Sequence, residues 1–239
     1  MRLPLSRTDR WPGLRSSRRC KLTLSRDFST VEEKNIMTDA VEVTLSHRRT
    51  KGERRQKVLQ HLAGMLNEAT LEKITTARIA EVMDISEGLL YRYFKNKADM
   101  FDSLIDFAEE SLMGLTGQIR ASEGMSGLDQ VRASVNVMLQ FADANPGITR
   151  VMTGQVLIYE DPRLIERVSR LHLALEAGLK LSYRTAVAEG ALPADFDASG
   201  RASLLMASVL GQWQRFVLTG FKVRPGLKSS SDTELFLKP

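Results

Sequence analysis

Most of the side chains that could do chemistry fall between Thr75 and Lys97: Thr75, Thr76, Ser86, Glu87, Gly88, Leu89, Tyr91, Arg92, Tyr93 and Lys97. Hydroxyls, a guanidinium and an ammonium packed this closely donate hydrogen bonds to anionic oxygens, and phosphate suits such a set of donors. They do not form a nucleophile with its base. His47, His61 and His172 lie far apart, without metal-ligand spacing, and no phosphate-binding loop or nucleophile motif occurs. His172 reads as a residue on a helix surface. The chemistry offered is binding rather than catalysis, and no cofactor is implied.

The elements that must position these groups read as helices. Val58, Leu59, Leu62, Met65 and Leu66 recur at helical spacing behind the basic run "RRTKGERRQK". Thr75 or Thr76 caps a short helix with Ile79, Ala80 and Met83 turned inward. "MDIS" then turns the chain, with Asp84 accepting a left-handed backbone and Ser86 capping a second helix expected to run through Leu90 to Phe94. A longer helix begins near Lys97, with Met100, Phe101, Leu104, Ile105, Phe107, Ala108 and Leu112 on its apolar side. Further helices are expected at 127–144, 147–159, 162–189 and 197–220, divided by "NPG", "EDP" and "EGALPADFD". No alternating strand pattern or internal repeat appears, so the chain reads as all-α.

Charge is unevenly placed along the 239 residues. Residues 1–57 hold fifteen Lys/Arg against seven Asp/Glu, while the whole chain carries only +5. A basic end on a mildly acidic body suits an anionic polymer bound at that end, and also suits a solvated charged tail. Cys20 is the single cysteine, so no internal disulfide forms, and no apolar run is long enough to span a membrane. Residues 1–36, rich in Arg and Ser, have a composition shared by transit peptides. A disordered basic extension covering residues 1–46, or a start at Met37, is the expectation. Residues 47–96 are then the head that would meet such a polymer, 97–225 a helical body and 226–239 a poorly defined tail.

Helix, tight turn, helix over residues 75–94 is the helix-turn-helix format, whose second helix enters the major groove. In that format Ser86, Glu87, Gly88 and Leu89 form the turn nearest the base edges. Gly88 clears space, and Leu89 can rest on a thymine methyl. Tyr91 and Arg92 reach phosphate or base; Tyr93, Lys97, Thr75 and Thr76 reach phosphate. Spacing alone fits a helix pair buried in a core equally well.

The residues themselves favour DNA. "ITTARIAEVMDISEGLLYRYFKNKADMF" resembles the N-terminal signature of the TetR family of regulators, departing at Asp84, where glycine is usual. "MFDSLIDFAEESL", "NPGITRVMTGQVLIYEDPRLIERV" and "RFVLTGFKVRP" resemble one branch of it, the nucleoid occlusion factors of the SlmA type. That resemblance implies a homodimer on palindromic double-stranded DNA in the cytoplasm, associated with the nucleoid. It also implies contact with the division protein FtsZ and inhibition of its ring over the chromosome. Phe107 and Asn145 match positions used for FtsZ in that branch, whereas Leu115 and Ala144 stand where it often has arginine.

Leu204, Leu205, Met206, Val209, Leu210, Trp213, Phe216 and Val217 cannot all face one core, so the last helix needs a second buried face. That helix could instead run through the centre of a monomer. In the family the last two helices form a four-helix dimer interface, which places Leu205, Val209, Trp213 and Phe216 there. Met138, Phe141, Met152 and Trp213 match a region where many family members hold a ligand. Their apolar character points to core packing here. The alternative function is a transcriptional repressor released from its operator by a small molecule.

Overall fold

A computed structural model describes residues 51–68 and 74–226, and the expectations for residues 1–46 and for the tail past residue 226 lie outside the described residues. Among the described residues the order is α1 (Lys51–Leu66), α2 (Thr76–Val82), α3 (Glu87–Leu90), α4 (Lys97–Ala121), α5 (Gly127–Ala144), α6 (Pro146–Met152), α7 (Pro162–Ala188) and α8 (Ala198–Leu218), with no strand. Each boundary has a local cause. Asn96, Ser126, Asp161 and Asp197 cap α4, α5, α7 and α8 by accepting backbone N–H bonds, and Pro146 and Pro162 open α6 and α7.

Two expected helices are shorter in the structure. The α-helix after Ser86 stops at Leu90, and the chain tightens into turns through Tyr93, with bonds such as Arg92 N–H to Leu89 O at 3.2 Å. The helix expected at 147–159 ends at Met152, where Gly154 takes φ 74° and residues 153–159 form successive turns. Apolar spacing cannot tell a run of turns from a helix when both bury every third or fourth residue.

One apolar core runs from Val58 on α1 to Trp213 on α8. The 25 residues of α4, a rod of about 37 Å, give that core continuity from the first three helices into the body. Arg167 on α7 clamps α4 with bonds to Asp102 (2.6 Å), Asp106 (2.8 Å) and Glu109 (2.7 Å).

The second tie between head and body is the seam of α1 with α6. Helix α1 ends against α6, and the carbonyls at and just after its end need donors. Arg150, 2 % exposed, supplies them through Nη1 to Leu66 O and Glu68 O, both at 2.8 Å. The Phe221 ring lies 4.6 Å from its guanidinium carbon, and burial holds its pKa below the usual arginine value. Gly147 lets α6 approach this closely. A Cβ there would sit 2.3 Å from Ala63 O, a backbone atom that cannot give way, and 2.6 Å from the Asn67 side-chain oxygen Oδ1. Gly147→Ala should therefore part the seam and cost about 1–3 kcal/mol, read as a lower midpoint in urea unfolding.

His172 corrects the surface reading. It packs edge-on to Trp213 with ring centroids 6.0 Å apart, because the face of α7 that carries it turns toward α8. Burial pulls its pKa down to about 4, only partly opposed by a hydrogen bond to the Met152 backbone. The folded protein thus holds His172 neutral at pH values where the unfolded chain, near 6.5, takes up a proton. Its contribution is complete above about pH 6.5 and is lost as pH falls toward 4. Unfolding free energy should drop by about 2 kcal/mol between pH 7 and 5 from this group. His172→Gln should flatten that slope in urea melts at the two pH values.

Candidate nucleic-acid interface

The short helices α2 and α3 meet at a turn held by Asp84 at φ 53°, the left-handed backbone expected of it. Thr75, rather than Thr76, is the cap of α2, its Oγ1 accepting from Arg78 N–H at 3.1 Å. Ser86 caps α3 by accepting from Leu89 N–H at 3.3 Å. With Thr75 spent as a cap, Thr76 is free to use its hydroxyl across the turn. It donates to Glu87 Oε2 at 2.8 Å and accepts from the Tyr91 hydroxyl at 3.4 Å. A hydrogen-bonded line therefore joins the start of α2 to both ends of α3.

Most of the expected contact residues share this exposed end. Thr75, Ser86, Glu87, Gly88 and Arg92 are exposed, Thr76 and Leu89 are half-buried, and Tyr91 is 50 % exposed. Gly88 has open space around it, with only Ser86 Oγ within 4.0 Å of a built Cβ, so a DNA backbone or base edge could approach it. Leu90 and Phe94 are fully buried, as the sequence pattern requires. Tyr93 is half-buried and accepts from Arg54 Nη1 at 3.3 Å, which brings α1 into the same surface.

Lys97 is placed differently from the rest. Its ammonium pairs with the Glu160 carboxylate from the turns before α7, and its side chain is only 23 % exposed. A phosphate would have to compete with Glu160 for it. Nearby, Arg55 holds the base of the head. It lies 4.6 Å over the Phe94 ring, donates to Ser103 at 2.6 Å and stands 3.8 Å from Asp99. Sequence reading missed Arg54, Arg55 and Arg150 as named contacts. The basic run that leads into the first turns of α1 was the available signal for the first two, and nothing local marked the third.

Phe107 and Asn145 lie together at the body's α4–α5 face. Phe107 is half-buried in a tilted contact with Phe141, centroids 6.2 Å apart, and Asn145 Nδ2 donates to Phe141 O at 2.9 Å. Both are therefore fastened to the same aromatic residue. Between the starts of α4 and α7 a polar cleft of about 400 Å³ opens beside Lys95 and Asn96. Its ionic walls are neutralised from within, Arg167 by Asp102 and Arg163 by Asp161.

The residues expected at a dimer interface need correction. Leu205, Val209, Trp213 and Phe216 are each at most 2 % exposed and belong to this chain's own interior. The face of α8 left open is instead Leu204, Ala207, Gly211, Arg215 and Leu218, beside Leu173, Ala177 and Leu181 on α7. Helical spacing shows that α8 has two apolar sides; it does not show which side the rest of the chain covers.

Comparison with known proteins agrees with this geometry. Residues 63–104 match the family model "Bacterial regulatory proteins, tetR family", and residues 126–238 match "Tetracyclin repressor-like, C-terminal domain". The nucleoid occlusion factor SlmA of Sodalis glossinidius is 40 % identical over 177 residues, covering 74 % of this chain and 89 % of that one. Its namesake from Vibrio cholerae is 38 % identical over 174 residues, covering 72 % and 88 %. Among solved structures, the fatty acid degradation regulator FadR of Bacillus halodurans aligns with a TM-score of 0.64 at 16 % identity, over 80 % of this chain and 97 % of that one. The TetR-family regulator PfmR of Thermus thermophilus gives 0.62 at 15 %, over 77 % and 95 %; likeness at such identity concerns the fold. The chain belongs to the TetR family of helix-turn-helix DNA-binding regulators, not enzymes, and within it to the SlmA nucleoid occlusion factors.

Proposed function

We propose that this chain works as a homodimer that binds palindromic DNA and inhibits assembly of the FtsZ ring over the nucleoid. One observation carries the reading: the 177 residues aligned at 40 % identity with a nucleoid occlusion factor are too many for the head alone and take in the body as well. A body that had diverged to serve a different partner would keep likeness mainly in the DNA-binding head. Residues 47–96 serve as that head and 97–225 as the body that dimerises and meets FtsZ. Thr75, Thr76, Tyr91, Arg92 and Tyr93 supply phosphate and groove contacts, and Phe107 with Asn145 supplies part of the FtsZ surface. The test is co-sedimentation with FtsZ polymers, with and without a specific duplex. Retention that DNA strengthens is expected; no retention under either condition would sink the reading.

The alternative, a repressor released by a small molecule, has one observation of its own. His172 Nε2 and Trp213 Nε1 are buried without a hydrogen-bond partner, as a polar ligand group would leave them before binding. Against it, Met138, Met152 and Trp213 are packed into the continuous core at 0–1 % exposure. The occlusion reading is the stronger.

Dimerisation follows from the open stripe on α7 and α8. Leu204 and Leu218 are 66 % and 65 % exposed, Leu173 and Leu181 61 % and 52 %, on two helices packed side by side. Ala177, Ala207 and Gly211 between them let a second copy's helices come close, and a twofold axis would match the two heads to a palindrome. Leu204→Glu should yield a folded monomer that still melts cooperatively, somewhat lower because the stabilisation from the partner subunit is lost, with lost affinity for the palindrome. Val209→Glu, which buries a carboxylate in the chain's own core, should unfold the protein. Sedimentation velocity with thermal melts separates the two.

If DNA and FtsZ bias the same arrangement of head and body, each must raise the other's affinity by the same factor, about 5–150-fold for the usual coupling. Phe107→Ala should weaken FtsZ binding and leave specific DNA binding intact, as measured by paired titrations.

A further inference from the structure

Glu87 is an unexpected residue at the tip of a helix meant to approach a polyanion. It is exposed at the start of α3, where an uncompensated carboxylate would oppose DNA binding. The structure nevertheless holds it in place. A threonine hydroxyl has one proton, and Thr76 gives its proton to Glu87 Oε2 at 2.8 Å. The Tyr91 hydroxyl donates to Thr76 at 3.4 Å, so the line of donors points one way and ends on the carboxylate. No described residue bonds Oε1, which is left as an acceptor on the residue before Gly88, around which the space is open.

The bases differ in what they offer such an acceptor. In the major groove guanine presents two acceptors, and thymine an acceptor and a methyl group, both unfavourable to a carboxylate. Adenine presents its N6 donor next to the N7 acceptor, which repels the second carboxylate oxygen. Cytosine presents its N4 donor with no acceptor on the same base, and it is the base that acidic side chains pair with. We propose that Glu87 is a specificity-determining residue that reads a cytosine in each half-site. Thr76, backed by Tyr91, is then a positioning residue that aims the carboxylate. Glu87 also weakens binding to every site that lacks a cytosine there. This inference rests on the DNA-binding reading above.

The experiment is selection of bound duplexes from a randomised palindrome library, followed by sequencing. It uses the full chain as wild type and as Glu87→Ala, Glu87→Gln, Thr76→Val and Thr76→Ser. Wild type should enrich cytosine about tenfold over the other bases at one position per half-site. Glu87→Ala should lose preference at that position alone and bind a scrambled duplex more tightly. Glu87→Gln keeps an acceptor for Thr76 and should fold as wild type, yet tolerate guanine or thymine through its amide donor. Thr76→Val should blunt the cytosine preference, and Thr76→Ser should restore it, which a merely structural threonine would not do. An unchanged base profile in Glu87→Ala and Glu87→Gln, or adenine in place of cytosine, would overturn the proposal. Wild type that enriched no base at any position would instead bring down the DNA-binding reading, and a loss spread over all positions distinguishes that case.

Discussion

The end of α1 is where the architecture has least freedom. A helix that ends against another leaves carbonyl groups needing donors, and the Leu66 carbonyl there is bonded by a buried side chain. Arg150 meets that need from α6, bonding Leu66 O and Glu68 O while its face rests on Phe221. A buried guanidinium is costly without a carboxylate, and carbonyl oxygens at a helix C-terminus, with their partial negative charge, are the substitute. The cost makes the arrangement specific, since few other dispositions of α1 against α6 satisfy both sides. Gly147 sets how near the two helices come, and Asn67 Oδ1 accepts from Gly147 N–H at the same seam. The head therefore cannot turn freely on the body.

That rigidity matters for a protein that reads DNA with two copies of one head. The separation of the two recognition elements follows from how each head sits on its body and how the bodies pair. Alongside the α1–α6 seam, Arg55 ties α1 to Phe94, Asp99 and Ser103, and Lys97 ties the start of α4 to Glu160. These ties lie between the exposed end of α2 and α3 and the body surface around Phe107 and Asn145. A ligand at one end can affect the other only by favouring one arrangement of these contacts over another.

The head itself economises on rigidity. Only four residues of α3 are α-helical, yet its exposed side chains are fixed by hydroxyl groups, Ser86 to Leu89 N–H and Thr76 to both Glu87 and Tyr91. Arg92 and Lys95, exposed beside them, are longer and more adaptable, as suits contacts that hold a backbone rather than identify a base.

By itself the sequence determined what depends on neighbours in the chain. A threonine cap at residue 75 or 76, Ser86 as a cap, Asp84 as the left-handed turn, prolines at helix starts and the buried Leu90 and Phe94 were all legible, because each works within one turn of backbone. So was the resemblance to the family, carried by the identities of the residues in that stretch rather than by their spacing. Tertiary structure decided what depends on distant partners. It turned Leu205, Val209, Trp213 and Phe216 inward and left Leu204 and Leu218 outside, because an apolar helix carries no local mark of which side its neighbours will cover. It drew His172 against Trp213 and spent Lys97 on Glu160, 63 residues away in the chain. It also buried Arg150, which reads in sequence like any basic side chain near a helix end. Caps and turns are settled by short-range hydrogen bonds, whereas burial and charge pairing are settled only when the helices meet.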